Sequence, residues 1–140
     1  MANLFTKIIA GEIPGKFVWK DDQAVAFMTI APLKPGHTLV VPRKEVEHWL
    51  DLEPELASHL FLVSQTIGQA IQHGFRPVKV GLWIAGLEVP HVHLHVFPVH
   101  EISDFDPANQ DRNAKPEDID RAAATIRASL RAIGAKHVAD

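Results

Sequence analysis

The chain has 140 residues, enough for one domain with its own hydrophobic core, and no cysteine, which excludes disulfides and thiolate metal sites. Fourteen Lys and Arg against seventeen Asp and Glu give a formal charge of −3, with no basic block to track a nucleic-acid backbone, so no nucleic-acid partner is expected. No apolar run reaches the ~20 residues of a bilayer span, and no basic stretch with an apolar signal core opens the chain; no membrane partner and a cytoplasmic location are the expectation.

In chain order, Asn3 reads as the cap of a short helix, LFTKIIA, that Gly11 ends. GKFVWK and QAVAFMTI read as two strands of a hairpin around Asp21-Asp22. The prolines and glycine of APLKPG break regular structure, and HTLVVP follows as a third strand. From Pro54 to about His73, Leu56, Leu60, Val63, Ile67, Ala70 and Ile71 recur at helical spacing, with Pro54 suited to the first turn. KVGLWIAG and HVHLHVFPV are two further strands, and a second amphipathic helix runs from near Pro116 to Gly134 on Ile119, Ala123, Ile126, Leu130 and Ile133. Consecutive strands with helices between and after them predict an α+β fold with an antiparallel sheet of about five strands. Trp83 is expected in the core, and Trp49 either there or at an interface.

The segment PHVHLHVFP carries the chemistry. On a strand, His91, His93 and His95 share one face at about 6.6 Å spacing, while Val92, Leu94 and Val96 share the other. Burial of the aliphatic set fixes the register and presents the imidazoles, because a one-residue slip would turn all three inward. The Gly36-His37 pair opens the third strand and delivers a fourth imidazole. His48, His59, His73, His100 and His137 read as surface or supporting residues. A solvated polar face explains such a string less well than a site does. A zinc or iron site using His-x-His with His37 or Glu88 is the metal alternative, weakened by the lack of acidic residues at alternate positions of the strand.

Neutral imidazole is a competent nucleophile near pH 7, provided that the proton is held on one ring nitrogen and the other is free. Neighbouring imidazoles can donate to phosphate oxygens and protonate a departing amine. The turn before the triad offers the N–H groups of Glu88 and Val89, whereas Pro90 cannot donate.

HVHLHV followed by Phe97 resembles the signature of the histidine triad (HIT) family. LFTKIIAGEIP, DDQAVAFMTIAPLKPGHTLVVPRKEV and AGLEVPHVHLHVFPV extend the resemblance over residues 4 to about 105, and the absence of an arginine and Gly-Asp-Phe after the triad makes the chain more similar to the Hint-like branch. The resemblance implies one HIT-like domain over 1–140, with a core at about 4–105 and a connector and helix at about 103–134. It implies a homodimer whose sheets join into one. It further implies a metal-independent hydrolase or transferase with no cofactor, acting on purine nucleoside phosphoramidates. His93 would be the nucleophile, His95 would assist the leaving group, and His91 and His37 would form the supporting relay. Leu4, Phe5, Ile8, Phe27, Ile30 and Leu39 match the family's apolar base pocket. Thr29 stands where the family usually has an Asp for the ribose hydroxyls, and Val80 and Leu87 replace an expected Asn and Gln. Those departures keep a third reading open, a nucleotide-binding module with little turnover.

Overall fold

The computed structural model describes residues 3–140. Five antiparallel strands, β1 (Phe17–Lys20), β2 (Ala24–Met28), β3 (Thr38–Pro42), β4 (Lys79–Trp83) and β5 (Leu94–Val99), lie in the order β1-β2-β3-β5-β4. Three helices accompany them, α1 (Leu4–Ile9), α2 (Pro54–Phe75) and α3 (Pro116–Ala132). The α+β fold with five antiparallel strands, a long helix and a carboxyl-terminal helix is as the sequence indicates. No described helix is long and apolar enough to cross a membrane.

Local chemistry sets the element ends. The Asn3 side chain accepts from the Thr6 N–H at 2.8 Å, and proline occupies the first turns of α2 and α3, where its missing N–H costs nothing. The hairpin turns on Asp21, whose carboxylate accepts from the Gln23 and Ala24 N–H groups, each at 2.7 Å, and from the Trp19 indole at 2.8 Å. His59 from α2 completes that cluster at 2.7 Å.

Strand alternation divides the core between two faces of the sheet. On one, Ala26, Val40, Leu94 and Val96 pack against Ile67 and Ile71 of α2 and Ile126 and Leu130 of α3. The other carries two separate clusters: Phe5, Ile8, Val25, Phe27, Leu39 and Val41 under α1, and Leu33, Phe97 and Val99 with Trp83 and Phe105 beyond β5. Register aligns Phe27, Leu39, His95 and Trp83 in one row across the sheet. The histidines therefore stand between the two clusters. Gly81 in β4 is required by that packing, since a Cβ there would lie 2.7 Å from Val99 and 2.9 Å from Phe105.

Three expected strands are shorter than the sequence suggests. β2 stops at Met28 because the Thr29 hydroxyl accepts from the Ala31 N–H at 3.1 Å and closes a turn, leaving Ile30 outside the sheet. β4 stops at Trp83, and the chain turns back through Gly86 at φ +70°. β5 begins only at Leu94, because the N–H groups of His91 and Val92 go to the carbonyls of Val89 and Val46, both at 2.8 Å, instead of a ladder partner. Trp83 is half-buried against Phe97, whereas Trp49 is 50% exposed and belongs to no core cluster.

The sheet's edges differ. The carboxyl-terminal tail covers β1, with Lys20 N–H donating to the His137 carbonyl at 2.9 Å and Ala139 N–H to that of Val18 at 3.0 Å. Along β4, Leu82 is exposed, as is Val78 just before it. Ile67, with no exposed surface at the centre of the larger core, sets the stability test: Ile67→Ala should lower the urea unfolding free energy by about 2–5 kcal/mol, as a cavity replaces the lost methylenes.

Candidate active site

Strand β5 and the irregular turn before it bring His91, His93 and His95 beside His37, which precedes β3. The imidazoles are enclosed rather than open to solvent, which alternation along a strand does not by itself determine. His37 and His91 have no exposed surface and His93 has 6%, because α1 and the 29–37 loop fold over them. Phe5 meets the His93 ring edge-on at 4.8 Å, and the His93 and His95 rings lie 4.9 Å apart.

Backbone groups assign the ring protons, because a peptide N–H only donates and a carbonyl only accepts. The Leu33 N–H donates to His37 Nδ1 at 3.0 Å, so the His37 proton is on Nε2, which donates to His95 Nδ1 at 2.9 Å. The His95 proton is consequently on Nε2. His93 Nδ1–H donates to the His91 carbonyl at 2.7 Å, which leaves the Nε2 lone pair free. His91 Nε2–H donates to the Pro42 carbonyl at 2.7 Å, and its Nδ1 accepts from the Asn3 amide at 3.2 Å. Asn3 thus caps α1 and orients His91 with the same side chain.

Burial disfavours imidazolium throughout the site. It pushes His37 down to about 3, helped by the charge of His93, and His95 likewise down to about 3, helped by His37 and His93. Burial also lowers His91 and His93, outweighing the opposing effects of the Pro42 and His91 carbonyls respectively. All four are neutral near pH 7. The arrangement can offer one unprotonated nitrogen, His93 Nε2, beside one N–H donor, His95 Nε2.

The residues expected around a base divide into two groups. Phe5, Ile8, Phe27 and Leu39 are buried against one another, with Phe5 and Phe27 in edge contact at 5.4 Å, so they brace the histidines and leave no open slot among themselves. Leu4 and Ile30 are exposed. The Thr29 hydroxyl accepts one bond within the turn and keeps its O–H to donate. Glu88 is exposed and Val89 half-buried in the turn before His91. Val80 lies against the helical core on the far side of β4, so its substitution for Asn touches nothing in the site, and Leu87 is 92% exposed.

A cavity of about 500 Å3 opens behind the 29–37 loop, between Leu33, His37, Phe75 and Ile119. Neither His93 nor His95 lines it. Among the described residues, no group of three or more His, Asp or Glu side chains is arranged to hold a metal ion. Two of the other histidines join helices or strands to their neighbours: His73 pairs with Ser129 at 3.2 Å, and His137 packs on Trp19 at 5.4 Å. Sequence reasoning missed the Leu33 N–H, the Pro42 carbonyl and the second bond of Asn3. Only Asn3 left any signal, as a helix cap.

Residues 10–102 match the HIT domain family. The chain is 33% identical over 135 residues to protein hit of Bacillus subtilis, covering 91% of this chain and 93% of that one. A hypothetical histidine triad nucleotide-binding protein of Sulfolobus tokodaii superposes with a TM-score of 0.81 at 26% identity, covering 92% of each chain. A zinc-bound histidine triad family protein of Mycobacterium smegmatis superposes with a TM-score of 0.76 at 27% identity, covering 95% of this chain and 96% of that one.

Holding buried imidazoles neutral makes stability pH-dependent. Below about 6.5 the unfolded chain binds protons that the native site refuses, so stability is full above that pH and falls as the pH drops toward about 3. Urea denaturation from pH 7.5 to 5 should show a loss of up to about 1.4 kcal/mol per pH unit for each such histidine. A flat profile would contradict the neutral assignment.

Proposed function

The chain belongs to the HIT family, and on that premise we propose that it cleaves purine nucleoside phosphoramidates, or related nucleotides, at the α-phosphorus through a covalent nucleotidyl-histidine on His93. The observation that carries this reading is the Nδ1–H bond from His93 to the His91 carbonyl, which commits the proton and frees Nε2 for attack.

In the first step, His93 Nε2 bonds to phosphorus as the bond from phosphorus to the leaving nitrogen breaks. The leaving nitrogen takes up a proton from solvent and departs as neutral amine, while the His95 Nε2–H, held in that tautomer by the His37 N–H at Nδ1, donates to the phosphoryl oxygen on which charge gathers beside the imidazolium of nucleotidyl-His93, whose ring lies 4.9 Å away. Water then attacks phosphorus and gives up a proton to solvent, and His93 leaves as neutral imidazole with the nucleoside monophosphate free. Every proton is accounted for without a metal. His91 and His37 act through their neighbours, one by anchoring the turn and the other by holding the His95 tautomer.

The base rests against the exposed Leu4 and Ile30, over the floor made by Phe5, Ile8, Phe27 and Leu39. Thr29 offers the ribose one hydroxyl where a carboxylate would take two bonds. The Glu88 and Val89 N–H groups serve the phosphate from the turn. We read residues 1–140 as one HIT-like domain that forms a homodimer, for which the uncovered β4 edge is the supporting feature, and that works in the cytoplasm. The zinc in the mycobacterial relative is the one observation that favours a metal-assisted alternative.

Intact-mass spectrometry of metal-stripped protein, quenched soon after mixing with an adenosine phosphoramidate, tests the reading. One adenylyl group should appear on the native chain and be absent from His93→Ala, whereas His95→Asn should lower turnover by about 10²–10⁴-fold. Turnover that returned only with added zinc would sink the histidine-nucleophile mechanism, and nucleotide binding without any adduct would leave a binding module.

A further inference from the structure

Four neutral imidazoles carry no formal charge, yet any nucleotide brings at least one negative charge to the site. The segments that flank the histidines, residues 29–37 and 84–95, contain a single Lys or Arg, Lys34. Its ammonium lies 3.3 Å from the Asp104 carboxylate, which is buried and pairs with it. The cation brought to the turn before the triad comes instead from the connector. Arg112 Nη2 lies 3.7 Å from Glu88 Oε1, and both side chains are more than half exposed.

The connector is held in place ahead of that arginine. Gln110 Nε2 donates to the Ala31 carbonyl at 2.8 Å, and the Asp111 N–H donates to that of Pro32 at 2.9 Å. The next residue, Asn113, is tied by its N–H to Asp111 at 3.0 Å. Residues 110–112 therefore bridge the 29–37 loop, which supplies His37, to the turn that leads into His91 and His93. An exposed ion pair at this distance is weak and exchanges readily. Guanidinium binds phosphate oxygens in pairs, with geometry that a single carboxylate contact at 3.7 Å does not satisfy.

We propose that Arg112 is a specificity-determining residue that holds the phosphates beyond the α-phosphorus, exchanging Glu88 for them, so that the site accepts nucleotides whose leaving group is itself a phosphate. This deepens the proposed function and rests on its placing of the α-phosphate at His93. Glu88 is the anion in the way: its charge already reaches His93. Neutralising Glu88 releases Arg112 and removes a repulsion at once.

Calorimetric titration of the full chain in a His93→Ala background separates this from the catalytic reading, because no turnover is needed. ATP and AMP are the probes. Arg112→Gln should weaken ATP at least tenfold and AMP much less, Arg112→Lys should recover part of the loss, and Glu88→Gln should tighten ATP. Equal losses for ATP and AMP, no change with either, or weaker ATP binding in Glu88→Gln would overturn the inference, as would failure of both nucleotides to bind. Absence of the adenylyl adduct in the native chain, with the ATP preference intact, would overturn the covalent mechanism alone.

Discussion

Three backbone groups set the state of the histidine cluster: the Leu33 N–H on His37, the Pro42 carbonyl on His91 and the His91 carbonyl on His93. An imidazole can be donor or acceptor at either nitrogen, but a peptide group cannot change its role. Each contact therefore assigns one tautomer, and the His37–His95 bond passes the assignment along. Burial completes the constraint by excluding imidazolium, so the site holds a poised lone pair and a poised proton at neighbouring rings.

The fold exists in a form that makes those contacts possible. β3 and β5 are neighbours, and the chain arrives at each from an irregular segment: the proline-rich 29–37 loop before β3 and the Val89–His93 turn before β5. Irregular backbone has N–H and carbonyl groups to spare, as does the last residue of a strand such as Pro42 of β3, whereas a strand interior spends both on the ladder. The sheet then supplies rigidity from below. Its far face is packed on α2 and α3, and its near face is divided into two apolar clusters with the histidine row between them. Polar rings are thereby confined by packing on both sides without any need to be charged.

The same division decides what residue type alone leaves open at particular positions. Phe27 and Leu39 match pocket residues in a sequence, and register sets them beside Phe5 in a closed cluster, as a floor rather than as walls. Val80 looks like a lost polar ligand, but the pleat of β4 turns it toward α2. His59 reads as a surface or supporting residue, and the fold gives it the supporting role, completing the Asp21 cluster that pins the first hairpin. In each case the deciding fact is a partner far away in the chain.

Sequence by itself determined the elements and their order, because hydrophobic periodicity, proline at helix starts and turn-forming residues are local properties. It also singled out four histidines that the fold brings together, His91, His93 and His95 from their alternation and His37 from the break before β3. Tertiary structure alone decided where β5 begins, how deeply the rings are buried, and which nitrogen of each carries the proton. Those depend on where the carbonyls of Val46, Val89 and Pro42 and the N–H of Leu33 come to lie. Peptide groups are the same in every residue, so no pattern of side chains announces them, and only the folded chain gives each its neighbour.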